Sequence, residues 1–302
     1  MVGWALATVL VGVVHVHHAP SHDSEAPFEA VVAAAHEARL DFVVLTEHSD
    51  RKRDGPLPAA ERAGLYTAPD GHRLRVLVGA EFATRSGHLL GLQIPRAYAS
   101  EDVSARALIE RIHRDGGFAV VAHPESHGGW HDWEAPFDGV EIENMASDFA
   151  RQLGPLLPLR LLRYWLNRDA ALDRMLRRPT RELERYEALL QGGREVVALA
   201  GADAHRNVRV LGVQLDPYRL SFTSVQMRCP EGPLTADSIW AALRQGRCAV
   251  HWRIRDGRRG AARRVVFPSG HTELWLGGDD EILEVQNPRA REPGPAAPGA
   301  AP

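Results

Sequence analysis

His15 and His17 stand two residues apart in HVHHAPSHD, and Asp23 closes the same stretch. Neutral imidazole and carboxylate suit zinc, manganese or iron and do not suit a soft thiolate site. If the segment is a β-strand, its two-residue period points both imidazoles the same way, with Val9, Val11 and Val13 behind them on that face. A turn through Ala19, Pro20 and Ser21 then lets the Asp23 carboxylate come back over the strand tip. On its own, an HxH pair is equally well explained by a surface strand that carries histidines by chance. Metal chemistry therefore requires further ligands, each delivered by another element.

The rest of the chain supplies such elements. Residues 8–16 are apolar on both faces, as expected of a covered parallel strand, and residues 27–39 place Phe28, Val31, Val32, Ala35 and Ala38 at helical spacing. The apolar run 41–46 delivers Glu47 and His48, and the run 74–80 delivers Glu81. His88 opens another strand, HLLGLQI. A helix over 104–115, marked by Ala107, Leu108, Ile109 and Ile112, ends at Gly116 and Gly117. FAVVAHP then carries His123, GVEIEN carries Glu141, Glu143 and Asn144, and the strand within 195–206 ends in Asp203 and His205. Residues 210–215 read as the last barrel strand.

This alternation predicts an α/β fold, a TIM-like barrel over residues 1–220. It would be interrupted by a leucine- and arginine-rich helical insert at about 146–192 that serves packing or forms a lid. Residues 221–286 read as an amphipathic helix (235–246) plus a small β appendage, and 287–302 as a disordered tail of Pro, Ala, Gly and Arg. In a barrel of parallel strands all carboxyl ends open on one face, so residues distant in sequence converge there. Five strand ends bearing His, Asp or Glu are hard to ascribe to chance.

Composition bounds the function. The 302 residues carry a net charge of -3, which gives no overall attraction to nucleic acid or an anionic membrane. The acidic balance and the lack of an aromatic-basic stripe argue against extended nucleic-acid contact. Lys52 is the only lysine, and the remaining basic charge is arginine. Cys229 and Cys248 cannot build a disulfide framework and lack ligand spacing, which suggests a reducing compartment. The apolar N-terminus lacks an early basic residue and runs directly into His15. The expectation is a cytoplasmic protein, with export left open if the true N-terminus lies upstream. No apolar run is long enough to span a bilayer.

These motifs resemble the PHP family, named for polymerase and histidinol phosphatase. HVHHAPSHDS is similar to its first motif, LTEHS to its second, GAEF to its third, AHP to its fourth and AGADAH to its last. The resemblance runs from about Val11 to Arg206, continues to about Val250, and is strongest to the stand-alone bacterial phosphoesterase branch. It implies a distorted barrel of seven βα units, (β/α)7, and two or three divalent ions (Mn, Zn or Fe) in a trinuclear metal site. His15, His17, Glu81 and Asp203 would hold a first ion, with Glu81 bridging to a second that also takes His88 and His123. Asp23, His48 and His205 would hold a third. The sequence departs from the family at Val14, where an acid is common, and at Glu47, where Asp is usual and where the longer arm could perturb His48.

The expected activity is hydrolysis of a small phosphate ester by a metal-bridged hydroxide, with Glu81 and Asp203 catalytic through the ions. Arg51, Arg53 and Arg206 are candidates to clamp the phosphate. The alternatives are a carboxylic or carbamate ester hydrolase on the same ions, a nuclease, or a non-catalytic metal-binding module. His18, His22, His127 and His131 are expected on surface loops near the ligands, and His36, His72, His113, His251 and His271 in structural or exposed positions. The sequence does not fix the natural ester, the metal or the oligomeric state.

Overall fold

The computed structural model describes residues 9–19, 21–126, 128–145, 166, 179–205, 209–210, 213–214, 218–254, 263–266, 273–276 and 281–287. Arg206, His127, most of the expected insert and the tail beyond 287 lie outside the described residues.

The chain runs β1 (Val9–Val16), α1 (Phe28–Glu37), β2 (Phe42–Leu45), β3 (Gly64–Thr67), β4 (Arg73–Val78), β5 (Ala80–Thr84), β6 (Gly87–Leu92), α2 (Ala105–Arg114), β7 (Phe118–Val121), β8 (Gly139–Asn144), helix Thr180–Gln191 and β9 (Val197–Ala204). One mixed sheet contains all nine strands. β1 pairs in parallel with β2 and β9, β2 with β4, β7 with β8 and β8 with β9, whereas β6 runs antiparallel to both β5 and β7. The pairing of β2 continues beyond β4: Gly79 donates its N–H to Leu45 O, Glu81 to Glu47 O and Ser49 to Glu81 O. The sheet therefore curls until β5 meets the end of β2.

The architecture is mixed α/β around a curled sheet, but strand and helix do not alternate strictly. Among these nine strands, α-helices join only β1 to β2, β6 to β7 and β8 to β9. The reversed direction of β6 matters for chemistry. Its amino end, where His88 stands, comes to the rim beside the carboxyl end of β7, so Ala122 N–H bonds to His88 O.

The sheet faces explain why these segments are strands. Phe42 and Val44 pack with Val14 on one side, while Val43 and Leu45 pack with Phe28, Val31 and Ala35 of α1 on the other. β2 is buried throughout, as its continuous apolar run requires. α2 is capped by Ser104, whose Oγ accepts the Ala107 N–H at 3.2 Å, and buries Leu108, Ile109 and Ile112.

β1 departs from the expected regular alternation. Val13 and Val16, three apart, both face the α1 layer, whereas Val14 lies in the other cluster with Phe42. The cause is a bulge: His15 adopts a left-handed φ of 63°, and β1 shifts register against both β2 and β9 there. Val13 does not back the histidines as expected. The bulge, and not an unbroken two-residue period, turns both imidazoles away from the helix layer. Gly12 belongs to the same packing: a Cβ there would stand 2.4 Å from the Phe42 ring.

Three further expectations are corrected in the carboxyl-terminal part. Of residues 210–215, the described Val210 and Val213–Gln214 do not join the sheet, because Arg209–Val210 and Val213–Gln214 pair with each other. An unanticipated strand, Val225–Pro230, pairs antiparallel with β1, and strands Ala249–Ile254 and Glu281–Gln286 extend the same sheet beyond it. Cys229 and Cys248, on the first of these strands and just ahead of the second, form a disulfide, so the reading of a reducing compartment loses its basis. No helix among the described residues is long and apolar enough to cross a membrane.

Asn287 fastens this extension to β9. Its Oδ1 accepts the Ala198 N–H and the Tyr186 hydroxyl, while Nδ2 donates to Ala198 O at 3.1 Å and to Cys248 O at 2.7 Å. The side chain is 2% exposed, so truncation would strand three buried backbone groups. Asn287→Ala is expected to cost about 2–4 kcal/mol, measured as a lower midpoint in denaturant unfolding with the slope unchanged.

Candidate metal centre

The ends of β1, β2, β7 and β9, the start of β5 and the start of β6 bring eight of the nine expected ligands into three adjoining groups. In the deepest, Glu81 Oε2 lies 3.1 Å from His15 Nε2 and 3.2 Å from His17 Nε2, and Asp203 Oδ1 lies 3.4 and 3.5 Å from the same two nitrogens. Four ligands at about 2.0–2.1 Å around a tetrahedral ion stand roughly 3.3–3.4 Å from one another, which is the spacing found. The other oxygen of Glu81 serves a second group: Oε1 is 2.6 Å from His88 Nδ1 and 3.1 Å from His123 Nε2. In the third, His48 Nε2 is 3.1 Å from Asp23 Oδ2, with His17 close enough to share an ion.

His205 is the exception. Its Nδ1 is 2.8 Å from the backbone oxygen of Asp203 and 3.6 Å from Oδ1, and it is not part of the group formed by His17, Asp23 and His48. Arg53 donates from Nε to Asp50 Oδ2 at 2.7 Å on the surface, and Arg51 is exposed on the same loop. Arg206 lies outside the described residues.

Burial falls from the first group outward. The side chains of His15, His17 and Glu81 are almost wholly enclosed, Asp203 and His123 slightly less so, and His88 is 36% exposed. Backbone strain concentrates here as well: His15, His123 and Asp203 have positive φ of 63°, 28° and 43°. Each left-handed non-glycine residue costs on the order of 1 kcal/mol and persists only where the surroundings impose it.

The donor set fits divalent ions better than it fits hydrogen bonding alone. His17 Nε2 and Asp23 Oδ1 are buried without a hydrogen-bond partner although charged groups surround them. The opposite nitrogens, by contrast, are held: His17 Nδ1 by Ser21 Oγ at 3.0 Å, His123 Nδ1 by Ser126 Oγ at 3.0 Å and His15 Nδ1 by Glu141 Oε1 at 2.6 Å. Fixing one imidazole nitrogen so that the other faces inward is how proteins orient metal-binding histidines.

The electrostatics of the protein without ions are correspondingly distorted. Burial by itself would lower the pKa of His15, but Glu141, Asp203 and Glu81 together raise it well above the usual range. His17 is pushed up to about 10, because the Asp203 and Glu81 carboxylates outweigh the burial that would lower it. His123 and His205 are likewise raised against burial, chiefly by Glu81 and Asp203 respectively. Burial would raise the carboxylates, yet the histidines hold Glu81 and Asp203 well below their ordinary range and bring Asp23 to about 2.

Sequence reasoning missed the partners behind the ligands. Glu141 stands out in the sequence only as an acid near a strand end, which assigns it no role. Ser21 was read as a turn residue, yet its Oγ also accepts the His48 N–H at 3.1 Å. His18, expected on a surface loop, is 1% exposed. Its backbone N–H and Nδ1 both bond to the Glu47 carboxylate. Glu47 thus turns toward His18, not His48, which corrects the expectation drawn from its longer arm.

No family model matches the chain, and no curated protein matches it in sequence. Among solved structures it is similar to a two-domain protein from Bacteroides vulgatus containing a predicted PHP-like metal-dependent phosphoesterase, at 13% identity and a TM-score of 0.47, covering 94% of this chain and 88% of that one. It is also similar to PsfC from Pseudomonas syringae, at 15% identity and 0.44, covering 75% and 84%. A third likeness is to Endonuclease Q in complex with a 27-mer duplex substrate bearing an abasic lesion, at 12% and 0.43, covering 78% and 56%. None of these scores reaches 0.5, and the chemistry of the centre is read from its own side chains.

Proposed function

We propose that this chain is a PHP-type, metal-dependent phosphoesterase that hydrolyses a small phosphate ester with two or three divalent ions. The observation that carries this reading is Glu81, whose two oxygens each face a different pair of imidazole nitrogens. Paired ions sharing a carboxylate are a recurrent arrangement for ester hydrolysis. When bound, the ions would supply Lewis acidity toward the ester and lower the pKa of water.

The residues have distinct tasks. His15, His17, Glu81 and Asp203 would form the closed inner position, and His88 and His123 the second. Asp23 and His48, with His205 in support, would hold a third, partly exposed position, where a phosphoryl oxygen could approach. The Nδ1 contacts of His15, His17 and His123 keep those rings aimed, so little reorganisation is needed when substrate arrives. Arg51 and Arg53, on the loop after His48, and Arg206, directly after His205, are candidates to orient the anion.

The same centre could cleave a carboxylic or carbamate ester, so the test must separate the two. Elemental analysis of purified protein is expected to find two or three equivalents of Mn, Zn or Fe. A panel of aryl phosphomonoesters, phosphodiesters and carbamates, assayed for each metal form, is expected to show phosphate ester turnover that chelation abolishes. Turnover of carbamates alone would replace the substrate class, and full turnover after complete metal removal would overturn the reading.

A further inference from the structure

We propose that Glu141 is a positioning residue that aims His15 into the centre and ties its place to that of His123; this rests on the metal-dependent reading above. β8 lies between β7, which leads to His123, and β9, which carries Asp203. From β8 the fully buried Glu141 carboxylate reaches past β9 to His15 on β1 and, on its other side, to the end of β7. Oε1 stands 2.6 Å from His15 Nδ1, while Oε2 accepts the His123 backbone N–H at 2.8 Å and an Asn144 Nδ2 hydrogen at 3.2 Å. One carboxylate therefore grips the ring of a ligand in the first group and the main chain of a ligand in the second.

The chemistry follows from the tautomer. With its Nδ1–H donated to Glu141, His15 keeps the Nε2 lone pair directed at the space beside Glu81 and Asp203; the other tautomer would put a proton there. Gly201 on β9 is part of the device. A Cβ at that position would stand 2.2 Å from Glu141 Oε1, so the glycine of AGADAH makes room for the carboxylate.

A glutamine cannot replace it. If the amide oxygen accepts from His15, the NH2 meets the His123 and Asn144 donors; if the amide is turned over, its NH2 forces the His15 proton onto Nε2. Titration of metal-stripped protein with Co2+, read by visible absorption against a competing chelator, tests this in a His88→Ala background that leaves the first group intact. Adding Glu141→Gln is expected to weaken Co2+ binding about 10–100-fold and to alter the absorption bands, with circular dichroism unchanged. Gly201→Ala, which displaces the carboxylate without removing it, is expected to act in the same direction and serves if the glutamine variant does not fold. Unchanged affinity and spectrum in both variants would overturn the role of Glu141. Failure of the otherwise unaltered protein to bind Co2+ would overturn the metal reading itself, so the two failures are distinguishable.

Discussion

Glu81→Gln is expected to lower kcat/KM for the best phosphate ester by about a thousand-fold or more, since several kcal/mol of transition-state stabilisation depend on the ions it joins. Glutamine keeps the shape but offers a single acceptor oxygen and no charge. It can face His15 and His17, or His88 and His123, and not both sets as the carboxylate does. The loss should therefore appear in metal content as well as in rate, with at least one equivalent missing after dialysis. A sharper comparison is His88→Ala, which removes a half-exposed ligand from the second group alone. Its rate should fall less, and raised metal concentration should restore part of it. A Glu81→Gln protein with full metal content and a rate within tenfold of the original would contradict the bridging role.

The candidate ligands are legible in the sequence because the signal is chemical and repeated. Six element ends carry a side chain that serves little other purpose in an apolar strand. The geometry that makes them converge was much less legible. Two-residue periodicity suggests that His15 and His17 share a face without assistance, yet a regular strand would send them to the side of Val13, against α1. The left-handed turn at His15 leaves no mark in composition, since no glycine stands there. His205 illustrates the converse: the family resemblance groups it with the third position, whereas in the structure its Nδ1 bonds to the Asp203 carbonyl and it stands apart from His17, Asp23 and His48. Pairing across long separations was also invisible. VQMRCP does alternate apolar and polar residues, but so short a run does not name its partners, and its place in the sheet is set by its neighbours, β1 and Ala249–Ile254. With it went the Cys229–Cys248 disulfide, because two cysteines separated by 19 positions reveal nothing until their strands are known to be adjacent.

Removing the ions is expected to make stability depend on pH in a way the loaded protein does not share. In the stripped protein His17 holds its proton up to about pH 10, whereas in the unfolded chain it loses it near pH 6.5. Between these values the folded state binds more protons than the unfolded one. This stabilisation is complete below about pH 6.5 and is lost as pH rises through 10. His15, His123 and His205 are shifted in the same direction. The carboxylates act oppositely: Asp23, brought to about 2, stabilises above about pH 4 and loses that contribution as pH falls through 2, with Glu81 and Asp203 adding to the same limb. Each proton held only by the folded state costs about 1.4 kcal/mol per pH unit on the alkaline side, or roughly 2 °C in Tm for a chain of this size. Bound ions compete for the same nitrogens, so their affinity must rise with pH and their binding at pH 7 must release protons. With neutral imidazoles already committed to metal, the alkaline limb should vanish. Thermal unfolding of stripped and reloaded protein at half-unit steps from pH 6 to pH 9 is therefore expected to give curves that diverge as pH rises. Parallel curves would mean that the ions, if bound at all, do not take the place of the protons on these histidines.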